Sequence, residues 1–205
     1  MKFFLIIFLF FICPTVQGQV KILFLGNYDE ICFTYDSIEI TKSKKLPDDI
    51  TVFKSILIFS NAESGLSSFD ITQLEKYLNN GGGIYCGADN WPLQAESQQI
   101  TMALYTKECW GNFNDDTTMV KLEKTSNQLF VASDSFPVGK TTVAFPMDYR
   151  LRVEVWLEDQ PLILTGDYGK GKIVIDCGYS RFYCDTMDEN RNGILDAIIN
   201  YLGNN

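Results

Sequence analysis

Between Ser67 and Gly87 the chain passes from an amphipathic helix, through three glycines, straight into a short apolar strand. Few folds accommodate that run. Ser67 and Asp70 have capping-box spacing, with Asp in place of the usual Glu or Gln. Ile71, Leu74 and Leu78 recur at i, i+3 and i+7, so the spacing predicts a helix over Ser67–Asn80. Gly81 then stops it, because glycine takes the left-handed conformation after a helix without steric cost. Gly82-Gly83-Ile84-Tyr85-Cys86 follows as a strand. A helix feeding directly into a buried strand is half of a βαβ unit, which demands a parallel sheet covered by helices.

The other apolar runs agree. Val20–Leu25 and Ser55–Ser60 are near-continuously apolar, the pattern of strands buried on both faces. Ser37–Thr41 alternates like a strand, and no amphipathic helix precedes it. After Cys86, Asp89 or Asn90 is expected to cap a second helix with Pro92 in its first turn and Leu93, Ile100 and Leu104 inward. Gly111–Asp116 reads as a polar loop. Short strands are expected at Leu129–Ser133, Thr141–Phe145, Leu151–Leu157 and Pro161–Gly166. Tyr168-Gly169-Lys170-Gly171 is a hairpin turn into Lys172–Cys177. A last helix spans Asn190–Leu202, with Ile194, Ala197, Ile198, Tyr201 and Leu202 inward. The expectation is one α/β domain over residues 19–205, a mostly parallel three-layer α/β/α sandwich with a C-terminal β-hairpin extension.

The first eighteen residues read differently. Lys2, the apolar run Phe3–Cys13, Pro14 and Val16-Gln17-Gly18 have the arrangement of a secretory signal cleaved after Gly18. The run is too short to span a bilayer, which takes about 20 apolar residues, and no later segment is long enough. An extracytoplasmic location, secreted or periplasmic, is expected. The formal net charge is −9 and becomes −10 once Lys2 leaves. That acidity argues against nucleic acid or an anionic membrane as partner. Five cysteines remain after cleavage, an odd number, with no C-x-x-C pair. One bridge among Cys32, Cys109, Cys177 and Cys184 is plausible, and spacing does not choose it.

The helix Asp70–Leu78 running into Gly81–Ile84, the Tyr168–Val174 hairpin, and the final helix with Asn190, Gly193, Ile194, Leu195 and Tyr201-Leu202 together resemble the class I glutamine amidotransferase-like superfamily, in particular its degenerate exported members and the ThuA-like branch. The resemblance implies a flavodoxin-like fold with ligands at the carboxyl ends of the strands. It also implies a nucleophile elbow at Cys86, with Gly87 after it. Ile84 stands where the family has the preceding glycine. The family's histidine is due near Gly178-Tyr179-Ser180-Arg181, and the chain contains no histidine at all. Triad acyl transfer needs such a base, and later an acid for the leaving group.

Cys86 is therefore the one candidate nucleophile, with Asp89, Glu63 or Asp176 as a carboxylate partner. Asn27, Asp29, Glu63, Gly87, Asp89, Asn90, Trp91, Asp176 and Arg181 fall at or beyond predicted strand ends and form the candidate ligand-binding set. Converging carboxylates there would suit hydroxyl groups or a hard cation, Arg181 a carboxylate ligand, and Trp91 a ring. Each has an ordinary structural reading as cap, loop or core seal. Asp185–Gly193 lacks the ligand register of a calcium loop, and no metal is expected. Gly26-Asn27-Tyr28-Asp29-Glu30 is too bulky and acidic to cradle a phosphate, so no flavin or other cofactor is expected. The leading reading is an exported, non-catalytic module binding a small ligand or an envelope protein. The alternative is a cysteine-dependent hydrolase, deglycase-like or carbohydrate-related enzyme using Cys86.

Overall fold

The computed structural model describes residues 19–33, 38–61, 65–108, 110–112, 119–121, 129, 135–139, 142–145, 147–157, 159–185 and 191–204. The strands are β1 (Val20–Gly26), β2 (Ile38–Ser43), β3 (Ser55–Phe59), β4 (Gly83–Gly87), β5 (Trp110–Asn112), β6 (Met119–Lys121), β7 (Ser135–Pro137), β8 (Thr142–Ala144), β9 (Leu151–Leu157), β10 (Gln160–Tyr168) and β11 (Gly171–Asp176). The helices are α1 (Ser68–Asn79), α2 (Ala95–Tyr105) and α3 (Arg191–Gly203), with a 3-10 turn at Tyr179–Phe182. Among the described residues no helix is long and apolar enough to cross a membrane.

The main sheet has the order β2-β1-β3-β4-β11-β10-β9. Its first five strands run parallel, and β10 and β9 continue it antiparallel. The parallel part has the doubly wound order of flavodoxin-like folds, with β11 as fifth strand. The hairpin extends the sheet as expected, and its second arm, β11, is itself a member of the parallel part. Its turn depends on Gly169, at φ +61°, a conformation that costs side-chain-bearing residues more than glycine. The Pro161–Gly166 strand extends through Tyr168 because the turn keeps it paired with β11. β5–β8 and β6–β7 form two separate two-stranded ladders, and the Val143 amide of β8 donates to the Cys177 carbonyl just past β11.

Strand alternation assigns the two faces. On β4, Gly83 lies so close to Leu202 of α3 that a Cβ would sit 2.6 Å from the Leu202 carbonyl oxygen. Tyr85, two residues on, shares that face, while Ile84 and Cys86 point to the other, where α1 and α2 pack. The α3 face is aromatic: Phe24 stacks edge-on against Phe59, and Phe59 against Tyr179. β3 and β4 are buried along their whole length, as their unbroken apolar sequences require.

Helix α1 has the anticipated capping box. Ser67 Oγ accepts the Asp70 amide (3.2 Å) and Asp70 Oδ2 accepts the Ser67 amide (2.9 Å). Gly81, at φ +97°, closes the helix. Helix α2 differs from expectation. It starts at Ala95, after Gln94, with no side-chain cap. Asp89 and Asn90 do not cap it because their hydrogen bonds go to a turn: Asp89 donates its amide to Leu93 O, and Asn90 O accepts from Leu93. Pro92 sits within that turn, preceded by a cis peptide. The expected strand at Leu129–Ser133 lies outside the described residues except for Leu129, and so do the Gly111–Asp116 loop beyond Asn112 and the signal segment 1–18.

Candidate functional site at the carboxyl ends of the strands

Asp176 ends β11 and Arg181 lies in the 3-10 turn just beyond it. Both side chains are wholly buried, at 0% exposure. Arg181 Nη1 donates to both carboxylate oxygens at 2.6 Å. Its Nε and Nη2 donate to the Val138 carbonyl at 3.1 and 2.8 Å. Tyr85 OH donates to Asp176 Oδ2 at 2.9 Å, and the Gly178 amide to Oδ1 at 3.0 Å. Burial, then the Asp176 charge, holds the Tyr85 phenol well above its usual range, so it stays a donor. Burying an ion pair is costly unless the remaining hydrogen-bonding capacity is met. Here the two groups are hydrogen-bonded within the protein rather than presented to a ligand.

The neighbouring candidates are tied in the same way. Asp89, fully buried, accepts the Ser180 amide through Oδ2 (2.8 Å) and the Asn90 amide through Oδ1 (2.7 Å), joining the end of β4 to the 3-10 turn. Asn27 donates to Tyr179 OH (3.1 Å), which donates in turn to the Ser60 carbonyl (2.7 Å). These bonds cross the switch point between β1 and β3, where an open sheet of this order would take a ligand. Gly87 touches the Tyr85 ring, 2.7 Å from where a Cβ would stand. Asp29 lies outside this cluster, in an exposed ion pair with Lys44 at 2.5 Å. Trp91 projects into solvent at 67% exposure, with Asn90 beside it. Glu63 lies outside the described residues.

Cys86 lies one residue before the end of β4. It is the fourth residue of β4, paired with Ile58 and Ile175, and the strand continues to Gly87. Its side chain is fully buried and faces α2. Asp176 pairs with Gly87, so its carboxylate belongs to the opposite face of the sheet. Asp89 reaches the 3-10 turn on the Asp176 side. The register therefore separates the Asp176 carboxylate from the Cys86 thiol.

Several contributors escaped sequence reasoning. Tyr85, Tyr179 and Val138 complete the cluster, and nothing in their local sequence marks them. Ser60 and Ser97 exchange a hydroxyl hydrogen bond at 2.8 Å, and Ser97 also donates to Gly87 O at 2.9 Å. Buried Glu96 accepts the Asn61 amide at 2.8 Å. Burial raises its carboxyl pKa, against the pull of that amide. Cys32 and Cys184 form a disulfide across 152 residues, while Cys86 and Cys177 are not disulfide-bonded. The bridge is flanked by Cys32 N–H to Phe182 O (3.2 Å) and Cys184 N–H to Glu30 O (2.8 Å), so it fastens the segment after β1 to the 3-10 turn. Among the described residues no group of three or more His, Cys, Asp or Glu is placed to hold a metal ion.

No known sequence family matches the chain, and no curated protein matches it by sequence. Solved structures do resemble it. Cytoplasmic protein STM1381 from Salmonella typhimurium LT2 superposes with TM-score 0.70 at 12% identity, over 89% of this chain and 99% of that one. The mmIFT52 N-terminal domain gives TM-score 0.67 at 14% identity, over 90% and 98%. A putative ThuA-like protein from Bacteroides uniformis gives TM-score 0.55 at 11% identity, over 90% and 91%. Identities this low establish a shared flavodoxin-like, ThuA-like fold and nothing about activity.

Proposed function

We propose that this chain is a non-catalytic, extracytoplasmic binding module, a degenerate relative of the class I glutamine amidotransferase-like proteins, whose partner is an envelope protein. One observation carries the reading: Cys86 and Asp176 lie on opposite faces of the sheet, each fully buried. With Asp176 on the other face and no histidine in the chain, the arrangement lacks the imidazole base that cysteine-dependent acyl transfer uses. The polar groups at the strand ends bond to one another, which favours a protein partner over a small molecule held in a polar cleft. Trp91, exposed beside those strand ends, has the character of an interface anchor, since tryptophan is enriched among residues that dominate binding energy. The Cys32–Cys184 bridge supports an oxidising compartment, in keeping with the leader-like pattern of residues 1–18.

The test is thiol alkylation of the folded protein with iodoacetamide, followed by mass spectrometry of the peptide containing Cys86. The expected result is no modification over hours in buffer and full modification in denaturant. Rapid native alkylation with a reactivity midpoint below that of a free thiol would overturn the proposal in favour of a cysteine-dependent enzyme.

A further inference from the structure

A cleft of about 500 Å³ opens at the opposite, amino end of the sheet. One wall is the β2–β3 connection, from Asp48 to Lys54, and the other is the last two turns of α1 with Gly81 and Gly82. Both walls are fixed. Asp49 Oδ1 accepts the Thr51 amide (2.9 Å) and hydroxyl (2.6 Å), which sets the turn. Tyr77 OH donates to the Phe53 carbonyl at 3.0 Å and ties the turn to the helix. Ile50, Phe53 and Tyr77 are buried beneath the cleft. A concave site with an apolar base and a few polar groups is the usual form of a small-molecule pocket.

We infer that this cleft binds a small zwitterion, a free α-amino acid with an apolar or aromatic side chain. The polar lining carries both signs of charge. Lys54 and Lys76 line it from opposite walls, and Asp48 lines it beside Lys54's turn. None of these three enters a side-chain hydrogen bond or ion pair with another described residue. Gln73 and Asn80 add amide donors and acceptors on the helix wall. An anion alone would meet Asp48 and Asp49, and a cation alone would meet the two lysines. A ligand with both charges pairs its carboxylate with the lysines and its ammonium with Asp48, and lays its side chain toward Ile50, Phe53 and Tyr77. The site is separate from the strand-end surface and independent of the function proposed for it.

The test uses the full folded protein and three probes: L-phenylalanine, phenylacetate and phenethylamine. Binding is read by amide chemical-shift perturbation of residues 48–54 and 73–82, with dissociation constants taken from the titrations. L-Phenylalanine is expected to shift these residues saturably and to bind at least tenfold more tightly than either single-charge probe. Lys76→Glu and Asp48→Lys, both at solvent-exposed positions, should each weaken it at least fivefold while the rest of the spectrum stays unchanged. Absence of saturable shifts in the cleft at millimolar L-phenylalanine would overturn the inference. So would a single-charge probe binding as tightly as the amino acid, or undiminished affinity in both variants.

Discussion

Replacing Arg181 with methionine removes the cation from the most deeply buried ion pair described in the protein. The substitution deletes two hydrogen bonds to Asp176 and two to the Val138 carbonyl. It leaves the Asp176 carboxylate at zero exposure, supported by Tyr85 OH and the Gly178 amide alone. Breaking a buried pair by removing one partner typically costs about 3–5 kcal/mol, because the remaining charge stays desolvated. At this chain length each kcal/mol corresponds to roughly 2–4 °C in Tm, so a fall of about 6–20 °C is expected. Replacing both partners at once, Asp176→Leu with Arg181→Met, removes both charges and leaves Tyr85 to find another acceptor, a cost of about 1–3 kcal/mol. The double variant should therefore be more stable than Arg181→Met alone. Urea unfolding followed by circular dichroism, run as a double-mutant cycle, reads both quantities. An Arg181→Met protein within 1 kcal/mol of wild type would refute the reasoning and point to a pair that is hydrated and open to a ligand.

Other perturbations test neighbouring features. Cys32→Ser with Cys184→Ser opens a loop of 152-residue separation, for which chain-entropy arguments give a loss of about 5 kcal/mol; a drop under 1 kcal/mol in thermal or urea unfolding would contradict it. Cys86→Ala should cost roughly 1–2 kcal/mol through lost packing and leave partner binding intact, measured as paired melting and binding curves; unchanged melting with abolished function would show that the sulfur does chemistry. Arg150 hydrogen bonds hold the Asp148 carboxyl down to about 2. A depressed carboxyl contributes stability above its unfolded value near 3.9 and loses it as the pH falls through the folded value. Asp148→Asn should therefore flatten the fall in stability between pH 4 and 2, which acid unfolding midpoints will reveal.

Much of the sheet was legible because buried parallel strands carry their signature in every residue. β1, β3, β4 and β11 are apolar runs bounded by glycine or polar turns, and the Ser67–Asp70 box with Gly81 bracketed α1 closely. The strand ends were legible as a neighbourhood: Asn27, Gly87, Asp89, Asp176 and Arg181 do gather there, whereas Asp29 turns away to Lys44. Their bonding was not legible, because it depends on Val138 and Tyr85, which are remote in sequence from Arg181. The start of α2 was misjudged for a related reason. Asp89 and Asn90 have the composition of helix caps, but the 3-10 turn at Tyr179–Phe182 competes for Asp89, and only the fold brings it near. Cys86 shows the limit most clearly. The apolar run brings it to the strand's end and the structure places it one residue short of that end, but that its side chain faces α2 is visible only in the fold.

The Cys32–Cys184 bridge also bears on how the protein is made. Synthesis runs from the amino terminus, so Cys32 emerges early and its partner only after nearly the whole chain. Through that interval its thiol is accompanied by Cys86, Cys109 and Cys177, any of which could capture it in a mixed or scrambled bond. Oxidation of an incomplete chain would trap it in the wrong connectivity, whereas burial of Cys86 and Cys177 in the finished core withdraws those two competitors. Faithful pairing therefore requires the sheet to assemble before the bridge closes, and a producing cell with an isomerase should yield more native protein than one with an oxidant alone.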